Sequence, residues 1–316
     1  MRCVRVHRTT LKSGITRSPE FRRKRLATHA VNTGTMCGNG CLYCSTRAVM
    51  RMHPSFAKCG ESPFAPGFAV VDPDTPARVA KDAQRIKQRG QVMLCTLVDA
   101  WAPEAQEYEL GRQCLGAILA EPGWSVRVLT KRDCVVGDYD LIQQYADRVL
   151  VGLSITATRE KEDIMRIIEP RASSIGERMD ALEEAARGGL RTYGMFCPLL
   201  PGIADAPEQI DQMVAFAVAC NVEEIFVEPV NPRGPGLRRC QEALTQGGLA
   251  AEAEAVGKIR SNRQWSSYAL NLVRNVQRSV RRHSDISKLR ILLYPSRMLP
   301  EHVTEIRQDD AGVVWL

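Results

Sequence analysis

The chain has 316 residues, 44% of them apolar and 25% charged, and 43 Lys and Arg against 36 Asp and Glu give it a net charge of +7. This is globular composition at a size for one large domain or two ordinary ones, and it excludes a disordered, collagen-like or repeat-biased chain. No stretch nears the ~20 apolar residues of a membrane span, and Met1 to Arg8 hold no continuous apolar run of a secretory leader. A cytoplasmic location with reduced cysteines is therefore expected.

Residues 1–27 are basic and aperiodic, carry the run Arg22-Arg23-Lys24-Arg25, and read as an N-terminal arm. From residue 28, short apolar runs alternate with helical patterns. Strands are expected at 30–35, 92–98, 125–130, 148–155, 191–197, 224–228 and 290–294. Helices are expected at 76–89, 106–119, 140–145, 161–167, 175–187 and 207–220. Pro76 suits an early helical position, and Gly188-Gly189 suits a C-cap just before a strand. Alternation at this spacing predicts parallel βαβ units over residues 28–230, as a partial barrel or a doubly wound sheet. Asn231-Pro232-Arg233-Gly234-Pro235-Gly236 then punctuates the chain. Residues 231–316 read as a C-terminal extension, with helices at 237–255 and 263–282 and a final strand.

An odd count of 11 cysteines in a reducing compartment argues against a disulfide framework. Eight are scattered, whereas Cys37, Cys41 and Cys44 form C-x3-C-x2-C within eight residues. Three thiolates on one short loop can bind three irons of a 4Fe–4S cube, and the fourth iron is then free for a substrate or cosubstrate. Gly38 and Gly40 let the loop wrap tightly. It follows the first expected strand, at the end where α/β barrels place active sites. The competing reading is zinc, which needs a fourth ligand such as His53.

This motif, after the first strand of a βα chain, resembles the radical S-adenosylmethionine (SAM) superfamily. The segments Asp99 to Glu104, Thr130 to Asp133, Leu153 to Thr156, Glu169 to Ser174, Arg178 and Pro198 to Asp205 follow in an order similar to the spore photoproduct lyase-like branch. The resemblance covers roughly residues 25–230. It implies an α/β fold, a partial (β/α)6 barrel of the TIM type with a C-terminal helical extension. It also implies a 4Fe–4S cluster on Cys37, Cys41 and Cys44, SAM bound to its open iron, and a reductant such as flavodoxin or ferredoxin.

For the remaining residues it implies roles that each have a plainer counterpart. Tyr43 would pack under the adenine. Lys131 would pair with the SAM carboxylate, or else be an exposed lysine at a strand end. Ser154 would bind the carboxylate or ribose, or else nearby backbone. Arg171 would point to the site, or else form a surface ion pair. The second strand lacks the glycines that bind the methionine amine in many relatives, and Thr96 is the nearest substitute. Cys95-Thr96 matches a pair whose cysteine, in the lyases, donates a hydrogen atom to the product radical; a small core residue is the other reading of Cys95. Ser45 stands where the lyases have a tyrosine, which counts against true photoproduct repair. The other cysteines contain no C-x2-C pair that would announce an auxiliary cluster.

The pattern at 263–282 puts Trp265, Leu272, Val273 and Val276 on one face and Arg274, Arg278, Arg281 and Arg282 on another. The cationic face is solvated or binds phosphates. The expected function is a radical SAM enzyme acting on DNA or a nucleotide. A tailoring enzyme for a nucleoside, sugar or peptide is the second reading, by epimerisation, bond cleavage or sulfur chemistry. A non-catalytic, metal-bearing nucleic-acid-binding protein is the third.

Overall fold

The computed structural model describes residues 4–316, so Cys3 lies outside the described residues. The strands in chain order are β1 (Arg5–Arg8), β2 (Thr16–Arg17), β3 (His29–Val31), β4 (Gly34–Met36), β5 (Phe68–Val71), β6 (Gln91–Leu94), β7 (Ser125–Thr130), β8 (Val149–Leu153), β9 (Gly194–Leu199), β10 (Ile225–Pro229), β11 (Leu289–Leu293) and β12 (Val313–Trp315).

Strands β3, β6, β7 and β8 pair in parallel, in chain order. Strands β9, β10, β11 and β12 do the same. Parallel bridges from Val151 to Thr192 and from Ser154 to Met195 join the two runs at β8 and β9. The result is the expected open α/β barrel, with six strands from β3 to β10 laid down in order. Helices such as Leu110–Leu119, Ile175–Arg187 and Pro207–Ala219 connect them, because parallel neighbours need a crossover.

Side chains alternate along each strand. Val92, Leu94, Ile225 and Val227 face the helices in the main core. Met93, Leu150, Met195, Phe226, Leu292 and Val314 face inward and pack on one another. Each such buried side chain contributes roughly 1.5–3 kcal/mol. The inward face is not wholly apolar. Arg127 lies 4.5 Å from the Tyr193 ring centroid and 5.1 Å from that of Phe226, and pairs with Glu224 at 2.7 Å.

Two departures from the sequence reading concern the ends. Residues 4–27 do not trail as an arm: β1 pairs with β5, and β2 with β3. Helix Pro19–Arg23 and Leu26 close the barrel's open side, where Leu26 and Ala27 join the inward cluster. In this segment Lys24 is buried while Arg22, Arg23 and Arg25 stay exposed. After residue 230, four helices replace the expected two: Gly247 and Gly248 divide Gly236–Gln246 from Ala250–Lys258 ahead of Asn262–His283, and Pro300–Arg307 lies between β11 and β12. Two strands, rather than one, then extend the sheet. No helix among the described residues is long and apolar enough to cross a membrane.

Candidate functional site

The expected strand at 30–35 is split. β3 ends at Val31 and β4 belongs to a separate sheet with β5 and β1. The polypeptide therefore leaves the barrel at Asn32 and returns over its mouth with residues 37–45. Four hydrogen bonds pin that loop. The Gly38 N–H donates to Glu104 Oε1 at 2.7 Å, Asn39 Nδ2 donates to Asp99 Oδ2 at 3.0 Å, the Leu42 N–H donates to the Ile168 carbonyl at 2.9 Å, and the Cys44 N–H donates to the Cys41 carbonyl at 3.2 Å. Gly40 has φ +71°, a region that favours glycine. A Cβ at Gly38 would stand 2.7 Å from Glu104 Oε2. Asp99 also accepts from Thr130 Oγ1 at 2.7 Å and from the Lys131 N–H at 2.9 Å, so one buried carboxylate ties the loop to the end of β7.

The loop brings its three cysteines together. Cys41 is buried, and Cys37 and Cys44 are half-buried. Burial pushes the Cys41 thiol up to about 12, Glu169 adds to this, and Lys131 opposes it. Cys37 is raised by burial, then by Glu104 and by the other two thiols. Thiols in such surroundings ionise when a cation arrives to take the charge. Three soft donors spread over one tight loop fit an iron–sulfur cube. Among the described residues no three His, Cys, Asp or Glu side chains converge as on one metal ion. His53 instead caps the helix Pro54–Cys59, accepting from the Ser55 N–H.

Beneath the loop lies a buried polar knot. Lys131 Nζ, just past β7, donates to Ser154 Oγ at 2.8 Å and to Glu169 Oε1 at 3.0 Å, and sits 5.6 Å from the Tyr43 ring centroid. The Tyr43 hydroxyl and Thr156 Oγ1 also donate to Glu169 Oε1. Arg178 meets Glu169 Oε2 at 2.5 Å and donates to the Ser154 carbonyl at 2.7 Å. Arg178 is held by helix Ile175–Arg187, which opens with a capping box of Ser174 and Glu177. Burial alone would raise the Glu169 carboxyl, but Arg178 and Lys131 outweigh it and hold it at about 2. Glu169 thus sits between two cations, and Lys131 presents its ammonium beside the cluster loop, suited to an anionic group of a cosubstrate.

The structure thus places Tyr43, Lys131 and Ser154 in one network with the cluster loop. Thr96 lies elsewhere on the rim, its N–H and Oγ1 both donating to Asn32 Oδ1 at 3.0 Å. Arg171 approaches the loop itself, with Nη1 3.6 Å from where a Gly40 Cβ would be. Cys95, 2% exposed, packs in the main core, 3.9 Å from Thr33 Oγ1 and near Cys114 of helix Leu110–Leu119. Asn32 carries no sequence signal, whereas Asp99, Glu104, Glu169 and Arg178 fall in the segments that carry the resemblance but have no role assigned by it. A carboxylate and an arginine nine residues apart across a turn and a helix start are a common surface pattern, and nothing local marks this pair as buried.

The cationic face of helix Asn262–His283 is largely neutralised. Arg274 pairs with Glu305, Arg281 with Asp309 at 2.7 Å, and Arg282 with Asp211 at 3.1 Å.

Residues 31–217 match the family described as the radical SAM superfamily. An uncharacterized protein of Methanocaldococcus jannaschii is 26% identical over 190 residues, 60% of this chain and 67% of its own length. An uncharacterized protein of Acidianus two-tailed virus is 26% identical over 220 residues, 68% of this chain and 71% of its own. Among solved structures, a spore photoproduct lyase mutant superposes with a TM-score of 0.59 at 16% identity, over 89% of this chain and 79% of that one. Another spore photoproduct lyase, complexed with dinucleoside spore photoproduct, gives 0.58 at 14% identity over 88% and 79%. At these identities the likeness concerns the fold.

Proposed function

Because the chain belongs to the radical SAM superfamily, we propose that Cys37, Cys41 and Cys44 hold a 4Fe–4S cluster and that this enzyme cleaves SAM reductively. When bound, the cluster and SAM supply an electron and a 5′-deoxyadenosyl radical that takes hydrogen from a substrate. What carries the reading is the juxtaposition of the three-cysteine loop with the Lys131–Ser154–Glu169 knot at the C-terminal mouth of a parallel barrel. Lys131 takes the carboxylate of SAM, exchanging part of its contact with Glu169, while Arg178 keeps Glu169 ionised. Ser154 orients the Lys131 ammonium. Tyr43, fixed by Glu169, offers a flat face for the adenine. Thr96 and Arg171 complete the rim. The chain's likeness in fold to spore photoproduct lyase makes a nucleic acid or nucleotide the first substrate class.

A smaller substrate is the second reading, a nucleoside, sugar or peptide. Ser45 in place of a tyrosine and the paired cations of Asn262–His283 favour it. Anaerobic reconstitution tests the reading common to both. Four irons and four sulfides per chain, with 5′-deoxyadenosine formed from SAM under dithionite, are expected. A colourless protein with one bound zinc and no cleavage would overturn it.

A further inference from the structure

The inward face of the barrel carries a group of reactive side chains that the site above does not use. Cys197 of β9 points into the barrel, against the apolar cluster of Met93, Leu150 and Met195. Its thiol donates to Glu228 Oε2 of β10 at 3.3 Å. The other oxygen of Glu228 meets Lys24 Nζ at 3.5 Å, and Lys24 lies 5.7 Å from the Tyr294 ring centroid. Lys24 arrives from the segment that closes the open side of the barrel, so three distant parts of the chain converge on this thiol. The group adjoins the cosubstrate knot, because the Cys197 carbonyl accepts from Ser154 Oγ at 2.7 Å, and Ser154 in turn accepts from Lys131.

A thiol has three ordinary uses here: metal ligand, nucleophile, or hydrogen donor. Among the described residues no three His, Cys, Asp or Glu side chains come together here as on a metal ion. Burial and the Glu228 carboxylate raise its titration well above the usual range, so it stays protonated, which disfavours attack as a thiolate. What remains is a held S–H bond inside a barrel whose mouth generates a carbon radical. We propose that Cys197, aimed by Glu228 and Lys24, faces the radical and is a hydrogen-atom donor of this enzyme, rather than Cys95 in the main core. The proposal rests on the radical SAM reading.

The step balances. A carbon-centred radical takes the hydrogen atom of Cys197, forming a C–H bond and leaving a Cys197 thiyl radical. One electron from the low-potential one-electron donor that also reduces the cluster, with one proton from solvent, restores the thiol. Glu228 accepts the S–H hydrogen bond and Lys24 keeps that carboxylate in place, so both are positioning residues.

The test needs no knowledge of the substrate. In deuterium oxide the Cys197 thiol becomes S–D, whereas carbon-bound hydrogens do not exchange. Reconstituted enzyme with SAM and dithionite, without substrate, is expected to yield 5′-deoxyadenosine carrying deuterium. Cys197→Ser is expected to lose most of that label while still forming 5′-deoxyadenosine, and Cys95→Ala to retain it. Label that survives in Cys197→Ser, or that wild type never gains, overturns the proposal. Failure to form any 5′-deoxyadenosine instead overturns the radical SAM reading. A second measurement uses the metal-free protein. Glu228→Gln is expected to speed alkylation of Cys197 at neutral pH, by about tenfold for each pKa unit the carboxylate contributes. An unchanged rate would dismiss Glu228 as the group that holds the proton.

Discussion

Glu169 and Arg178 meet at 2.5 Å with about 1% of each side chain exposed, and the same carboxylate takes Lys131 at 3.0 Å through its other oxygen. The pair is a structural brace beneath the cluster loop. Removing one partner would strand a buried charge, which costs about 3–5 kcal/mol. Arg178→Met is therefore expected to lower the unfolding free energy of the metal-free protein by that order in urea titrations. A loss under 1 kcal/mol would show that Glu169 finds other compensation.

The depressed Glu169 carboxyl sets a pH window. Its folded value of about 2 lies below the ordinary 4.5, so the stabilisation is present above pH 4.5 and is lost as pH falls towards 2. The loss is on the order of 3 kcal/mol across that window. Wild type and Glu169→Gln should diverge in acid: the variant's unfolding midpoint changes less between pH 4.5 and pH 2 than that of wild type. Parallel curves would remove Glu169 from the acid response.

Lys131 should matter to cosubstrate affinity more than to folding. Its side chain keeps 15% exposure, unlike Glu169 and Arg178, and a hydrogen bond to a charged group is worth about 1.5–3 kcal/mol. Lys131→Met is expected to weaken SAM binding roughly tenfold or more, read by equilibrium dialysis on reconstituted protein. Iron content should be unchanged, and Lys131→Arg should recover part of the loss. Unaltered affinity in Lys131→Met would move the carboxylate site elsewhere.

Gly38 gives a test of the loop alone. A methyl group there meets the Glu104 carboxylate at 2.7 Å and disturbs the bond that pins the loop. Gly38→Ala is expected to lower iron uptake with a melting temperature within a few degrees of wild type. Full iron loading would show that Glu104 yields at little cost.

The positions of the barrel strands are legible in the sequence where apolar runs are long. The segments 125–130, 148–155 and 224–228 fall on β7, β8 and β10 within two residues. The first strand is misread because Asn32 and Thr33 look like its continuation, whereas the chain there crosses to a second sheet. Strands β1, β2 and β12 are too short to show a period, and their pairing is fixed only by distant partners. In the site, C-x3-C-x2-C announces itself through spacing, and Lys131 and Ser154 through strand ends. Glu169 carries no such mark, because its importance comes from burial between Lys131 and Arg178, a property of the packed molecule.

The segment bearing Lys24 also shapes how the molecule is made. Lys24 reaches Glu228 across 204 residues of chain, and the Tyr294 hydroxyl reaches Glu20 at 3.4 Å across 274. The gap that the segment fills is bounded by strands from opposite ends of the chain. During synthesis the early strands emerge with their inward face uncovered, and the seam cannot close until β11 and β12 have left the ribosome. Contacts this distant in sequence form slowly and leave apolar surface open meanwhile. Chains interrupted before β11 are expected to depend on chaperones.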